Sequence, residues 1–88
     1  MRHIAEKTLK EDLRVLAIRE RERMGLTQRE MAELLMMSES SYSDIETGRA
    51  MCGTLTAVLL LAAIEKPQLY LERLTGLLRE CYEKAVLA

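Results

Sequence analysis

The sequence predicts an all-α domain of five helices, and three observations carry that expectation. β-Branched and aromatic residues are scarce: three Tyr, no Phe and no Trp leave Leu, Ala, Met, Ile and Val to build the core, a mixture that favours helix over sheet. Thr or Ser repeatedly stands just ahead of apolar residues spaced by three and four, the pattern of a capped amphipathic helix. Gly25 and Gly48 follow such segments where a helix is expected to stop, and Pro67 stands where one is expected to start. The 88 residues leave room for one domain, taken as residues 1–88.

Taken in order, Thr8-Leu9-Lys10-Glu11 reads as a capping box, in which hydroxyl and carboxylate satisfy the free amides of a helix start. The first helix is expected from there, with Leu9, Leu13, Leu16 and Ala17 on its inner side and Gly25 as its stop. Thr27-Gln28-Arg29-Glu30 is a second capping box, opening a short helix that buries Met31, Ala32, Leu34 and Leu35. Ser38 offers a third cap for a helix from Glu39 to about Glu46, with Tyr42 and Ile45 inward and Thr47-Gly48 as its end. Thr54 is a fourth cap candidate. Leu55, Val58, Leu59, Leu61 and Ala62 then give a helix apolar almost all round, hence expected at the centre. From Pro67 to about residue 86, Tyr70, Leu71, Leu74, Leu77, Leu78, Cys81, Tyr82 and Ala85 recur at helical spacing.

Composition narrows the function. The longest apolar run, Leu55 to Ile64, is broken by Thr56 and too short for a bilayer, and the charged N-terminus lacks a signal-peptide apolar region. Cys52 and Cys81 show no CxxC pairing, which fits a reduced, cytoplasmic setting. His3 alone cannot build a metal site. No His/Cys/Asp cluster, phosphate loop or nucleophile with a base appears, so neither an enzyme, a cofactor, a metal nor a small-molecule ligand is expected. The net charge of −1 is unevenly spread: residues 1–25 carry seven Lys/Arg against five Asp/Glu, residues 26–66 three against six, and residues 67–88 three against three.

Residues 27–46 form a unit of short helix, tight turn and short helix. Such a unit suits duplex DNA, because one helix lies along the phosphates while the next enters the major groove. The pieces Arg21, Met24-Gly25-Leu26-Thr27-Gln28, Met31-Ala32, Ser38 and Ile45-Glu46-Thr47-Gly48, in this order and spacing, resemble the Cro/phage-repressor type of helix-turn-helix family over about residues 9–66. The resemblance implies a lambda-repressor-like bundle, here with an extended C-terminal helix, and a sequence-specific DNA-binding transcriptional regulator, repressor-like or antitoxin-like.

Residue by residue, it implies that Gln28 touches DNA phosphate and that Glu39, Ser40, Ser41 and Asp44 fall where base-contacting side chains lie. Arg49 falls where a phosphate or minor-groove contact is made. Arg29 is expected to add affinity, and Arg21 and Glu46 to form a partly buried salt bridge that fixes the recognition helix. Two departures stand out. Met36 occupies the turn position that usually holds Gly, at a cost on the order of 1 kcal/mol if φ is positive. Glu39 and Asp44 put carboxylates on the reading face, where they can accept from cytosine N4 but also meet the phosphate field.

The apolar stripe of the last helix is longer than four short helices would cover. A two-fold homodimer through Leu74, Leu77, Leu78, Cys81 and Tyr82 is therefore expected, with paired operator half-sites. The alternative function is a protein-interaction module that keeps this fold but docks a protein through its acidic third helix.

Overall fold

The computed structural model describes residues 2–87, with side chains described as far as Lys84; Ala85 of the expected stripe lies outside those side chains. Five helices follow one another: α1 (Arg2–Met24), α2 (Gln28–Leu34), α3 (Glu39–Glu46), α4 (Thr54–Ala63) and α5 (Pro67–Leu87). No strand occurs among the described residues.

Three of the helices end in the same way. The residue after the stop donates its N–H back across five positions, Leu26 to Arg21 O at 3.0 Å, Met37 to Ala32 O at 3.0 Å and Arg49 to Asp44 O at 2.8 Å. This closure needs a left-handed residue just ahead of the donor. Gly25 (φ 69°) and Gly48 (φ 81°) supply it at two ends, and Met36 (φ 58°) supplies it at the third. The expected strain at Met36 is thus present, and its side chain points into solvent rather than into the turn. The starts are equally local: Thr27 and Glu30 form the reciprocal capping box, and Ser38 Oγ accepts from Ser41 N.

Two boundaries differ from expectation. Helix α1 begins at Arg2, not after Thr8, because nothing in residues 2–8 breaks it and Arg2 bonds Glu6 one turn on at 3.0 Å. At the start of α4, Gly53 is the cap residue and Thr54 the first helical one, with no side-chain cap bond.

The core lies where α1, α2, α3 and the first half of α5 meet: Leu13, Ala17, Met31, Ala32, Leu35, Tyr42, Ile45, Tyr70 and Leu74, closed on one side by Cys52, Leu60 and Ile64. Helix α5 runs antiparallel along α1, since Lys66 at its foot lines a cleft with Arg23 while Arg73 reaches Asp12. That last contact is bidentate, at 2.9 and 3.0 Å, with the guanidinium also 5.3 Å above the Tyr70 ring. Leu74 therefore belongs to the chain's own core and not to a surface left for a second copy. The reason is that α5 folds back along α1, with Arg73 on Asp12 and Leu74 in one cluster with Leu13. Leu77, Leu78 and Cys81 are half-buried, and Tyr82 is exposed.

Helix α4 is not central, as its composition suggested. Leu60 is fully buried, but Leu55 (67% exposed), Val58 (57%) and Ala62 share an outer face. An all-round apolar helix becomes central only when elements pack on both sides, and α5 is committed to α1 instead. Leu34, expected inward, is likewise exposed at the rim of α2. Leu60→Ala is expected to cost about 2–5 kcal/mol in urea unfolding through cavity formation. Leu69→Ala, on the exposed side of α5, should stay within about 0.5 kcal/mol.

Candidate nucleic-acid interface

Glu46, the last residue of α3, is buried at 7% side-chain exposure, and donors from two other helices converge on it. Arg21 of α1 donates Nε to Oε2 at 2.6 Å and Nη2 to Oε1 at 3.2 Å. Its Nη1 also reaches Leu26 O at 3.1 Å, tying in the loop ahead of α2. Gln28 of α2 donates Nε2 to Oε1 at 3.0 Å. Arg14 of α1 adds Nη1 to the Glu46 carbonyl at 3.2 Å, which caps the negative end of α3. Burial alone would raise the Glu46 pKa; hydrogen bonds from Arg21 and Gln28, with the adjoining Tyr42 hydroxyl, outweigh it and hold the carboxyl below its ordinary value. Tyr42 Oη is buried beside this cluster, and burial first, then Glu46, pushes its pKa up, so it keeps its proton.

The arrangement sets the angle of α3 and leaves its opposite side in solvent. Glu39, Ser40 and Ser41 are exposed, and Ser43 and Asp44 are half-buried. The Ser41 hydroxyl accepts from Ser38 Oγ at 2.9 Å, so its own proton is free to donate outward. Gln28 is turned toward Glu46, which takes one amide hydrogen and leaves the other for an outside acceptor. Arg29 lies 3.5 Å from Glu33 and Arg49 lies 3.9 Å from Asp44, both pairs open to solvent and easily exchanged. Asp44 is thus partly offset by the arginine that follows α3, while Glu39 makes no ion pair among the described residues. Cys52 is buried, and burial raises its thiol pKa, the opposite of what a nucleophile needs.

Sequence reasoning missed three contacts: Gln28 to Glu46, Arg14 to the end of α3, and the Asp12–Arg73 clamp. Each joins residues distant in the chain.

This geometry of capped helices, a left-handed turn and a pinned α3 accords with the comparison to known families. A family model described as helix-turn-helix matches residues 18–67, more than half of the chain. The chain belongs to the Cro/C1-type helix-turn-helix family. No curated protein and no solved structure gives a match. The helix-turn-helix protein is accordingly a DNA-binding regulator at the level of its family, with the all-α, lambda-repressor-like fold. No described helix is long and apolar enough to cross a membrane.

Replacing Glu46 by Gln removes the charge while Arg21 stays partly buried, and chemical unfolding at neutral pH is expected to register a loss of about 3 kcal/mol. The sign of the pH effect follows from the lowered Glu46 value. Its contribution is complete above the ordinary 4.5 of a free Glu and is lost as pH falls through the folded value. Wild-type stability should therefore drop in acid below about pH 4.5, and Glu46→Gln should flatten part of that drop. An equally steep acid loss in the variant would show that Glu46 is not its source.

Proposed function

We propose that this protein is a sequence-specific transcriptional regulator, of repressor or antitoxin type, that reads operator half-sites as a homodimer. The observation that carries the reading is the fixing of α3 by Arg21, Gln28 and Arg14, with its serine-bearing side left open. A helix held this way presents its N-terminal residues to base edges without further ordering. Ser40 and Ser41 supply hydroxyls able to donate or accept, and Glu39 and Asp44 supply acceptors that suit cytosine N4. Gln28, Arg29 and Arg49 flank this face as phosphate contacts; the second amide hydrogen of Gln28 and the two exchangeable arginines are available for it.

The surface left for pairing differs from the α5 stripe alone. With Leu74 internal, the apolar groups open to a second copy include Leu69, Leu71 and Tyr82 on α5 and Leu55, Val58 and Ala62 on α4, while Leu77, Leu78 and Cys81 retain partial exposure. Burying such groups supplies the driving force for a two-fold contact. A second reading, docking of a protein through acidic α3, is favoured by Glu39 alone, which stands exposed at the helix start.

Titration into the DNA upstream of its own coding region, at two salt concentrations, distinguishes the readings. Specific binding that tightens as salt is lowered is expected, and the Ser40→Ala/Ser41→Ala variant should lose about tenfold in affinity for that DNA. Negligible affinity for every duplex down to low salt would select protein docking instead. Sedimentation at tens of micromolar is expected to give twice the chain mass, with Val58→Glu and Tyr82→Glu locating the face. A chain-mass species for the wild type would exclude the dimer.

A further inference from the structure

The α2–α3 face supplies no net attraction for a polyanion. Its two arginines are matched by Glu33 and Asp44, and Glu39 leaves the balance negative. Affinity for DNA nevertheless rests on cations that displace condensed counterions from phosphates. The structure holds such cations elsewhere, on the half of α1 that runs past the end of α3.

Lys7, Lys10 and Arg14 stand three and four residues apart on one side of α1, and with Glu11 and Gly48 they line a single groove at the C-terminal end of α3. Glu11 is the one acid lining it, and its carboxylate is already taken by Arg14 at 2.7 and 2.9 Å. Arg14 is fixed further by its bond to the Glu46 carbonyl. Lys7 and Lys10 make no ion pair or side-chain hydrogen bond among the described residues, so two ammonium groups face the groove unmatched.

The dimensions suit the phosphate wall of a duplex. Eight residues of α3 span about 12 Å, close to the width of the major groove. With the N-terminal residues of α3 at the base edges, its C-terminal end and Gly48 lie toward the bordering backbone. From Arg14, the rise of α1 carries Lys10 about 6 Å and Lys7 about 10 Å further along its axis, a spread that covers neighbouring phosphates. Lysine, a mobile point charge with three donors, binds phosphate without demanding one geometry.

We propose that Lys7 and Lys10, with Arg14 anchored behind them, form a second DNA contact: a phosphate-binding stripe on α1 that flanks the base pairs read by α3. The proposal rests on the DNA-binding reading above, and it identifies the source of attraction that the acidic recognition face lacks. Because the stripe touches only the backbone, it strengthens binding to all duplexes alike.

The test compares the wild type, Lys7→Ala/Lys10→Ala and Lys66→Ala/Lys84→Ala on one upstream duplex and one unrelated duplex, from about 50 to about 200 mM monovalent salt. Thermal melts of all three should coincide, since these lysine side chains make no ion pair or hydrogen bond among the described residues. The plot of log affinity against log salt should become shallower by about 1.8 for the first variant, two contacts at about 0.9 each. Its affinity should fall by the same factor on both duplexes, while the second variant, with the same net charge, keeps the wild-type slope. An unchanged slope in Lys7→Ala/Lys10→Ala, or an equal change in Lys66→Ala/Lys84→Ala, overturns the stripe and leaves DNA binding intact. Failure of the wild type to bind any duplex removes the DNA reading and the stripe with it.

Discussion

Glu46 is where α1, α2 and α3 are joined by charge rather than by packing alone. A carboxylate at 7% exposure is costly to bury, and here the cost is offset by a two-pronged arginine and a glutamine amide. Because the donors come from different helices, the bonds can all form in only one relative placement of those helices. Apolar contacts between Met31, Ala32, Tyr42 and Ile45 make the region stable, yet such contacts tolerate small slips. The ion pair and its amide partner remove that tolerance. The orientation of α3, the property that a DNA reader needs most, depends on this carboxylate.

The charge distribution has a corresponding logic. On the proposed reading, acids on α3 weaken general attraction to DNA and leave selection to hydrogen bonds. Attraction then has to come from elsewhere on the surface, and α1 holds the densest excess of positive charge in the chain. Separating the surface that selects from the surface that attracts lets each change without altering the other. With that division, a net charge of −1 is compatible with membership of a family that binds a polyanion.

Much of this was legible in the sequence because the chemistry is local. The capping box at Thr27–Glu30, the Ser38 cap and the glycine stops at Gly25 and Gly48 each act within six residues, and all appear where expected. The Arg21–Glu46 bridge, read from the family resemblance, is present as well. What failed depended on tertiary placement. Thr8–Glu11 has the residues of a capping box but lies inside α1, since a box starts a helix only where the preceding residues do not already continue one. The apolar composition of α4 showed that it prefers to be covered, not that anything covers it. The α5 stripe looked free for a second copy because its spacing does not show that α5 folds back along α1 and buries Leu74 beside Leu13. Arg14, Lys7 and Lys10 gave no hint in sequence, since their common neighbour is the end of a helix more than thirty residues away.

Helix α1 has one more consequence. At 23 residues it is a rod of about 35 Å, bonded to α3 through Arg14 at its middle and Arg21 near its end, and clamped to α5 through Asp12 and Arg73. The recognition element and the C-terminal helix are thus two attachments on one stiff beam, with no hinge between them. In a paired protein, such a beam fixes the distance and twist between the two reading helices. An operator with one base pair added between its half-sites would be displaced by about 3.4 Å and rotated by about a tenth of a turn. Bending of the DNA, rather than flexing of the protein, would have to absorb that difference, which makes half-site spacing as much a part of the recognised sequence as the bases themselves.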